Sequence, residues 1–495
     1  MSQFWDKVAE INSAINGFVW GVPMLILLVG TGILMTTLTK LFQITHIRHW
    51  IGATIGGIFK DKHVTAHTGD EDQQISQFQS LCTALAATIG TGNIAGVAAA
   101  IASGGPGAIF WMWIVAFFGM MTNFSENVLG IYYRERNKDN EWSGGAMYYL
   151  KNGLGSLPGC KGVGAVLAVL FSLFCILASF GIGNMSQINS IAVNLDLAFH
   201  IPHLMTGLLL MLLAGLIIVG GIKRIASVTE KLVPFMALLY VIGALVVVIV
   251  HGNQIPAVFE SIIKGAFGLR AVGGGIVGSG VAMALQWGMK RGVFSNEAGL
   301  GSSVMVHSSS NVREPVVQGM WGIFEVFADT MVVCTLTALA VLSSGLVDLN
   351  TGAVISDQKS TALVAAAFSS VYGRTGSIFI ALAILLFAFS TVLGWSHYGT
   401  KGFEYLFGTN ATKVYKIVFV VFIVFGATMD LTLAWDLSDT FNGLMAIPNL
   451  IGVISLSPLV IRITANYVDR KLHGKDITPM LSAHDHIQKV HENEI

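Results

Sequence analysis

Apolar segments long enough to cross a lipid bilayer recur along the whole of this chain. A transmembrane helix needs about 20 predominantly apolar residues. Only 11% of the 495 residues are charged, against roughly a quarter in soluble domains. We therefore predict an all-α polytopic membrane protein with 11 transmembrane helices, surrounded by a lipid bilayer. The predicted spans lie near residues 15–39, 76–103, 107–132, 163–196, 203–222, 228–251, 272–310, 316–344, 376–399, 414–431 and 438–463.

Composition narrows the classes of function. The formal net charge is zero, which gives no reason to expect a nucleic-acid partner. The four cysteines, Cys82, Cys160, Cys175 and Cys334, have neither a disulfide spacing nor a metal-ligand spacing. The sequence contains no phosphate-loop motif, so we do not expect ATP to drive the protein. Neither a cofactor nor an obligatory protein partner is indicated.

Lysine and arginine are distributed unevenly between the predicted loops. With the N-terminus outside, 21 of the 28 basic residues fall on cytoplasmic loops, their span ends and the C-terminal tail, and five fall on external segments. The other two, Lys290 and Arg291, lie within a span. Cytoplasmic loops of membrane proteins carry the basic excess. We therefore predict an external N-terminus and a cytoplasmic C-terminus.

Two of the predicted spans are interrupted by small and polar residues. TIGTGNIAG, residues 88–96, has three glycines in nine residues, and RGVFSNEAGLGSS occupies residues 291–303. Glycine weakens a helix, and hydrocarbon offers no water to the backbone groups that are freed. Because each interruption opens a set of five spans, we predict two five-helix repeats of inverted topology, preceded by one extra helix.

This arrangement divides the chain into six parts. The predicted parts are an external N-terminus with the extra helix (1–40), a cytoplasmic amphipathic segment (41–75), the first repeat with core helices 1–5 (76–252), an external connection (253–271), the second repeat with core helices 6–10 (272–463) and a cytoplasmic tail (464–495).

An interrupted helix in mid-membrane exposes backbone N–H groups on one half-helix and carbonyl groups on the other. The N–H groups and the helix dipole bind anionic groups, and carbonyl oxygens bind cations. Such a site suits a zwitterion. The alternative is that the glycines only allow close helix packing, but two interruptions at equivalent places favour a binding site.

Four sequence segments carry a family resemblance. The runs ALAATIGTGNIAGVAAAIASGGPGAIFWMW (84–113) and KRGVFSNEAGLGSS (290–303) closely resemble the alanine or glycine:cation symporter family, and SGGAMYYL (143–150) and FAFSTVLGWSHYG (387–399) also fit it. Ala146 departs from the pattern, because proline is commoner there. The resemblance covers nearly the whole chain. It implies the leucine-transporter fold and import of small neutral amino acids with Na⁺, and sometimes H⁺, across a bacterial cytoplasmic membrane.

With this resemblance, backbone N–H groups of the first interruption are expected to hold the substrate carboxylate, and carbonyls of the second its ammonium group. Asn296 is expected to bind either the substrate or the helix backbone. Gln187 is expected to line the pocket and Trp395 to cap it, although Trp395 also suits an interfacial position. The predicted substrate-binding residues are Gly90, Thr91, Gly92, Asn93, Gln187, Phe294, Asn296 and Trp395.

A sodium site is expected between the first and eighth core helices, where the leucine-transporter fold holds one. Ser390 and Thr391 would provide hydroxyl groups, and Thr88 and its neighbours would provide carbonyls. Hard cations prefer such oxygen ligands. The alternative is that both hydroxyls only hydrogen-bond their own helix.

Charged residues at membrane depth are functional candidates. Glu297 is expected to brace the second interruption by accepting N–H bonds, with a proton site as the alternative. Lys290 or Arg291 is expected to act as an external gate charge or to pair with a carboxylate such as Glu126. Glu325 and Asp329, four residues apart, are expected to share a helix face directed at protein and water. The gating or structural charges of the site are thus Arg291, Glu126 and Glu297.

The sequence therefore predicts a secondary symporter, and not an enzyme, that imports alanine, glycine and serine with Na⁺ by alternating access. One alternative keeps the architecture but couples to H⁺ through Glu297 or Glu126. A channel is a second alternative, but the chain lacks a ringed filter motif. An intramembrane enzyme is a third, but no metal or nucleophile constellation is visible in the sequence.

Overall fold

The computed structural model describes residues 2–67, 74–268, 277–356, 358, 360–429 and 432–492. Its first part contains α1 Ser2–Val19, α2 Val22–Leu38, α3 Phe42–Thr45, α4 Ile47–Ala53, α5 Ile55–Lys60, α6 Lys62–Thr65, α7 Gln77–Thr88, α8 Ala95–Gly104, α9 Gly107–Tyr132, β1 Glu135–Arg136, β2 Trp142–Ser143, α10 Ala146–Tyr148, α11 Lys161–Phe180, α12 Ser186–Phe199, α13 His203–Ile218, α14 Gly221–Val250 and α15 Ile255–Ala266.

The rest of the chain contains α16 Val277–Asn296, α17 Val304–His307, α18 Pro315–Val326, α19 Thr335–Ser343, α20 Thr361–Tyr372, α21 Arg374–Phe407, α22 Thr412–Thr428, α23 Thr432–Ser455, α24 Ser457–Lys471 and α25 Asp485–Glu492. Short π-helices lie at Tyr149–Gly153, Gly181–Met185 and Phe327–Cys334. Turns of 3₁₀-helix lie at Thr91–Asn93, Leu154–Ser156, Gly252–Gln254 and Thr409–Ala411. Strands β1 and β2 form a small antiparallel hairpin.

Helices lie in all eleven predicted spans, so the predicted helical membrane architecture is confirmed in its main feature. Within the described residues, seven helical segments are long and apolar enough to cross a bilayer, or nine when each of two bent pairs is counted as one span. The count of eleven and the inverted repeats stay predictions. The domain boundaries are also untested, and their residues 68–73, 269–276 and 493–495 lie outside the described part.

The predicted interruption of the second span is a real break between two helices. Helix α7 ends at Thr88, α8 begins at Ala95, and the two are bent by 59°. A second bend of 59° separates α23 from α24, at the start of which Pro458 occupies the first turn. Because proline has no N–H to donate, it fits the first turn of a helix, where that N–H would have no partner in the helix.

Helix α9 is central to one half of the helix packing. It packs against both α16 and α18, while α11 packs against α21 and α23, and α13 packs against α22. Small residues allow the closest approach: a Cβ atom on Gly288 of α16 would lie 2.2 Å from the carbonyl oxygen of Ala108. The core therefore consists of two packed groups of helices, with the breaks between them.

The extra N-terminal helix pair is fixed to the last core helix. Trp20 is 1% exposed, and its indole Nε1 donates to the carbonyl oxygen of Asp439 at 3.0 Å. Lys290 of α16 forms an ion pair with the Asp439 carboxylate at 2.5 Å. Lys290 thus joins α16 to α23 at the end predicted to face outside, and its partner is not Glu126.

Several segments pack together at the predicted cytoplasmic end. Arg134 is 1% exposed and donates to the carbonyl oxygens of Ser308 and Ser310, at 3.0 and 2.6 Å, and of Val312. The tail packs nearby, where the ring of His491 contacts Trp142 edge-on. Burial, together with the charges of nearby arginines, lowers the pKa of His491 to about 4. At neutral pH this ring is therefore uncharged and is not repelled by the guanidinium groups.

We predict that Gly288→Val destabilises the protein and that Gly280→Val in the same helix does not. The valine at 288 would overlap α9, at a cost of about 1–3 kcal/mol for overpacking. No atom lies within 4 Å of a Cβ at Gly280. Thermal unfolding in detergent, followed by gel filtration, measures the difference. Equal unfolding temperatures for the two variants would contradict the packing of α16 on α9.

Candidate substrate and sodium site

The first helix break lies against the helix that carries Ser390 and Thr391. The N–H of Gly90 donates to Asn93 Oδ1 at 2.9 Å, so the break is partly closed by its own side chain. A Cβ atom on Gly90 would lie 2.5 Å from Thr391 Oγ1. Glycine is needed here because the backbone of the break approaches α21 directly.

Gln187 touches the break, as the sequence predicts for a pocket residue. Its Oε1 accepts from the N–H of Thr91 at 3.3 Å, and its Nε2 donates to the carbonyl oxygen of Ile182 at 3.0 Å. Gln187 follows the π-helix Gly181–Met185, a feature frequent at functional sites. Thr91 Oγ1 is buried and has no hydrogen-bond partner within the described residues. An orphaned buried hydroxyl calls for an explanation, and a bound ligand supplies one.

Asp329 connects the two breaks, although it is not among the residues predicted for the site. Its carboxylate accepts from Asn93 Nδ2 at 2.6 Å and from the hydroxyls of Ser295 and Thr330, each at 2.8 Å. The residue is fully buried. Charge-assisted hydrogen bonds of this kind are about twice as strong as neutral ones. One carboxylate thus ties the first break to the end of α16.

The sequence offered one signal for Asp329, namely its charge at membrane depth. Asp329 and Glu325 both face protein, as expected, and both are fully buried. They do not share partners, however: Glu325 accepts from His307 and Asn123. A π-helix begins at Phe327, so the α-helical rule that places residues four apart on one face does not hold between them.

The second break begins at Asn296, the last residue of α16. Asn296 Nδ2 donates to Thr330 Oγ1 at 3.1 Å, and its Oδ1 accepts from the N–H of Ala298 at 3.0 Å. Asn296 therefore binds protein groups, which is one of its two expected roles. Phe294 packs on the first break, since a Cβ atom on Gly92 would lie 3.3 Å from its ring.

Glu297 braces the second break from an unusual backbone conformation. Its φ is +56°, which a non-glycine residue rarely adopts. The carboxylate accepts from Ser302 Oγ at 2.5 Å and from the indole Nε1 of Trp395 at 2.9 Å. The N–H group that Glu297 binds thus belongs to the indole ring of Trp395. Trp395 itself is 1% exposed and is held behind the break, away from any lipid interface.

Four oxygen atoms converge between α7 and α21. Ser390 Oγ lies 3.2 Å from the carbonyl oxygen of Ala86 and 2.8 Å from that of Phe387. Thr391 Oγ1 lies 3.1 and 3.0 Å from the same two carbonyls. The hydroxyl of Thr88 instead bonds its own helix, at the carbonyl oxygen of Ala84. The carbonyl that meets the hydroxyl pair is therefore that of Ala86.

Glu126 and Arg291 lie in different surroundings and do not pair with each other. Glu126 accepts from Asn449 Nδ2, which also donates to the carbonyl oxygen of Gly299 at 2.8 Å. The guanidinium group of Arg291 lies 5.3 Å from the ring centre of Trp287 and 5.4 Å from that of Phe294. Glu126 therefore supports the second break through Asn449, while Arg291 covers the aromatic residue that packs on the first.

Comparison with known proteins gives a match across nearly the full length. Residues 5–480 match the sequence profile of the sodium:alanine symporter family. The chain is 43% identical to the sodium/alanine symporter AgcS of Methanococcus maripaludis, over 95% of this chain and 100% of that protein. It is 34% identical to the putative sodium/proton-dependent alanine carrier protein YrbD of Bacillus subtilis, over 95% and 94% of the two chains.

Two other proteins are also similar to the chain, one of which is named for a different substrate and the other of which has low sequence identity. The chain is 37% identical to the probable sodium/glutamine symporter GlnT of Bacillus subtilis, over 96% of this chain and 93% of that protein. A crystal structure of the Eremococcus coleocola manganese transporter aligns over 87% of both chains, with 13% sequence identity and a TM-score of 0.46.

We predict that Asp329→Asn loosens the contact between the two breaks. An asparagine can keep an oxygen toward Asn93, but its amide nitrogen then faces the hydroxyls of Ser295 and Thr330, which must turn to accept, and three charge-assisted hydrogen bonds become neutral ones, at a cost of about 1–3 kcal/mol. Cys334 reports on this, because its sulfur lies 3.4 Å from Asn93 Nδ2 and 3.3 Å from Ser295 Oγ. Alkylation of Cys334 by a maleimide, measured by peptide mass spectrometry, should be severalfold faster in Asp329→Asn than in the unaltered protein.

Two controls make this measurement specific. Cys175 is buried elsewhere and serves as the internal reference, so its labelling should not change. Asp196→Asn neutralises a carboxylate that is 51% exposed and contacts only His203 among the ion pairs of the described chain. Labelling of Cys334 that is equally slow in Asp329→Asn and Asp196→Asn would show that Asp329 does not hold the breaks together.

Proposed function

The chain belongs to the sodium:alanine symporter family, a family of sodium-coupled amino-acid symporters, and on this premise we propose that it imports small neutral amino acids by alternating access. Alanine and glycine are the proposed main substrates, and serine is a further one. The names of the relatives support this choice, because two of those compared are named for alanine and all three for sodium.

The observation that carries the proposal is the joining of two helix breaks around one buried carboxylate. The first break holds the Thr91 hydroxyl, which is buried and has no partner among the described residues, and the N–H groups of Gly90 and Thr91, which bind Asn93 and Gln187 in the structure and would bind the substrate carboxylate in the loaded protein. The second break ends α16 there, so the carbonyl groups at its C-terminal end are available to a cation. A zwitterionic amino acid matches both ends of such a site. A Cβ atom on Gly92 would lie 3.3 Å from the ring of Phe294, so little space remains between them, which favours a substrate with a small side chain.

We place the sodium ion at the oxygen atoms of Ala86, Phe387, Ser390 and Thr391. Two carbonyls and two hydroxyls are the oxygen ligands that a hard cation prefers. In the structure both hydroxyls hydrogen-bond the carbonyl oxygen of Ala86. The ion would replace these bonds and connect α7 to α21 directly. Thr88 would contribute its carbonyl group only.

This position of the ion gives a mechanism of coupling. Helix α7 is separate from α8 because the chain breaks and bends between them. Sodium would hold α7 against α21, which stabilises the state closed to the cytoplasm and orders the break for the substrate. A ligand shifts a conformational equilibrium only through its different affinity for the two states, and the shared contact with α7 provides that difference.

The helix contacts support inverted repeats and a rocking movement. The third core helix, α11–α12, packs against the eighth, α21, and the fourth, α13, packs against the ninth, α22. The second, α9, packs against the seventh, α18. Three of the five core helices of the first proposed repeat thus contact their counterparts in the second. We further propose a cell-membrane location, with the N-terminus outside, from the distribution of basic residues.

Uptake of labelled alanine into proteoliposomes tests the proposed function. With an inward Na⁺ gradient at fixed pH and clamped voltage, alanine should accumulate above its external concentration, and the accumulation should disappear without the gradient. Glycine and serine should compete, whereas leucine should compete at least about tenfold less well, since the pocket would have to admit three more carbon atoms. Accumulation that follows a pH gradient and ignores Na⁺ would contradict sodium coupling.

The sodium position has its own test. Ser390→Ala/Thr391→Ala should raise the Na⁺ concentration for half-maximal uptake by about tenfold or more, which corresponds to the loss of ~1.4 kcal/mol. Ser396→Ala is the matched control, because that hydroxyl bonds the carbonyl of Leu393 in its own helix at 2.7 Å. An unchanged Na⁺ dependence in the double variant would move the ion elsewhere.

A further inference from the structure

A second buried polar cluster lies on the side of the breaks that is predicted to face the cytoplasm. It draws its side chains from four helical elements, α7, α9, α17 and α18, and we call it the inner cluster. All of its members are fully buried, at 0% exposure. The inner cluster comprises Ser80, Asn123, Asn127, His307, Gln318 and Glu325.

A histidine and a carboxylate form the centre of the inner cluster. His307 Nε2 lies 2.9 Å from Glu325 Oε2, which also accepts from Asn123 Nδ2 at 3.2 Å. On its other side, His307 Nδ1 faces the side-chain amide of Gln318. With the amide nitrogen toward it, Nδ1 must be the acceptor. His307 is then neutral, with its one proton on Nε2 and directed at Glu325.

In this arrangement the inner cluster has more acceptors than donors. Three buried oxygen atoms, Glu325 Oε1, Gln318 Oε1 and Asn127 Oδ1, have no hydrogen-bond donor within the described residues. A buried acceptor without a donor costs about 1–3 kcal/mol, and more when it is charged. The three oxygens belong to neighbouring side chains, so the shortage is local. The inner cluster therefore has room for an additional proton.

The amide of Gln318 offers one place for that proton. The oxygen and nitrogen of an amide occupy equivalent positions, and their assignment follows from the hydrogen-bond network. Rotation of the amide by a half-turn would put Oε1 opposite Nδ1 of His307, where it would accept from a protonated imidazole. The alternative place is Glu325 Oε1. In the first case Gln318 Oε1 gains a donor, and in the second Glu325 Oε1 carries the proton and becomes a donor itself.

Charge favours the same conclusion. With His307 neutral and Glu325 ionised, the inner cluster carries one negative charge in the membrane interior, and one more proton makes it neutral. Glu325 interacts electrostatically with Glu126 of α9, Glu297 of the second break, Asp329 of the π-helix and Tyr398 of α21, none of which is a cation. A nearby buried cation, Arg134, donates to the carbonyl oxygens of Ser308, Ser310 and Val312. A sodium ion fits less well, since His307 Nε2 and Asn123 Nδ2 both contact Glu325 Oε2 and hard cations prefer oxygen ligands.

We propose that the His307–Glu325 pair is a proton-binding site that exchanges its proton with the cytoplasm when α7 moves. Ser80 of α7 covers the pair: its hydroxyl lies 3.3 Å from Gln318 Nε2 and donates to the carbonyl oxygen of Val306 at 3.3 Å. Movement of α7 away from α21 would remove this cover and admit water. The proposal rests on the proposed alternating access, because that movement opens the site.

The test is Na⁺-driven alanine uptake as a function of the internal pH, at fixed external pH and clamped voltage. Over a range from about pH 6 to about pH 8, the uptake rate of the unaltered protein should change severalfold. His307→Gln and Glu325→Gln should each take up alanine at a rate that no longer varies with internal pH. The matched control is His397→Gln, a buried histidine on α21 whose Nε2 has no partner among the described residues.

The outcomes separate this proposal from the proposed function. Loss of Na⁺-driven accumulation in the unaltered protein contradicts sodium symport. Retained accumulation with the same pH dependence in His307→Gln and Glu325→Gln overturns the proton site, and so does a flat profile in His397→Gln alone. If neither variant transports, infrared pH titration of the purified proteins decides. A titrating carboxyl or imidazole band that is absent from one of the two variants supports the site, and identical bands in all of them overturn it.

Discussion

The structure depends on satisfying backbone groups where the bilayer provides no water. Every break in a membrane helix leaves N–H and carbonyl groups without partners, and here side chains of the breaks themselves and of another helix take their place. Asn93 and Gln187 bind N–H groups of the first break, and Asn296 binds one of the second. Asp329 then binds Asn93 and Ser295, so that neither break can change shape alone. The breaks are stable because they are connected.

This connection explains why buried carboxylates occur in a protein of such low charge. Glu297 and Asp329 each accept hydrogen bonds from donors on two different elements, and Glu126 acts through Asn449. Buried charges are retained in membranes mainly where they have a function. We propose that α9, α16 and α18, which pack together around the breaks, form a rigid side against which α7 moves at its broken end. Sodium and substrate would bind at the boundary between the two parts.

The sequence predicted the helices and both breaks because glycine and polar residues stand out in apolar spans. It also placed Ser390, Thr391, Gln187 and Phe294 beside the breaks, where the structure has them, although their roles stay predictions. It missed Asp329 and the partner of Lys290. Both depend on contacts between distant segments, and the π-helix at Phe327–Cys334 changes which residues face the site. A single sequence carries no signal for such a change of helical register, and α-helical spacing predicts the wrong neighbours there.

The central claim is that sodium and substrate bind at neighbouring places beside the first break, so that each strengthens the binding of the other. Equilibrium binding of labelled alanine to the purified protein, measured over a series of Na⁺ concentrations, tests it most directly. The account predicts that Na⁺ tightens alanine binding, and that alanine tightens Na⁺ binding by the same factor, because the coupling of two ligands is reciprocal. An alanine affinity that is the same with and without Na⁺ would contradict the account.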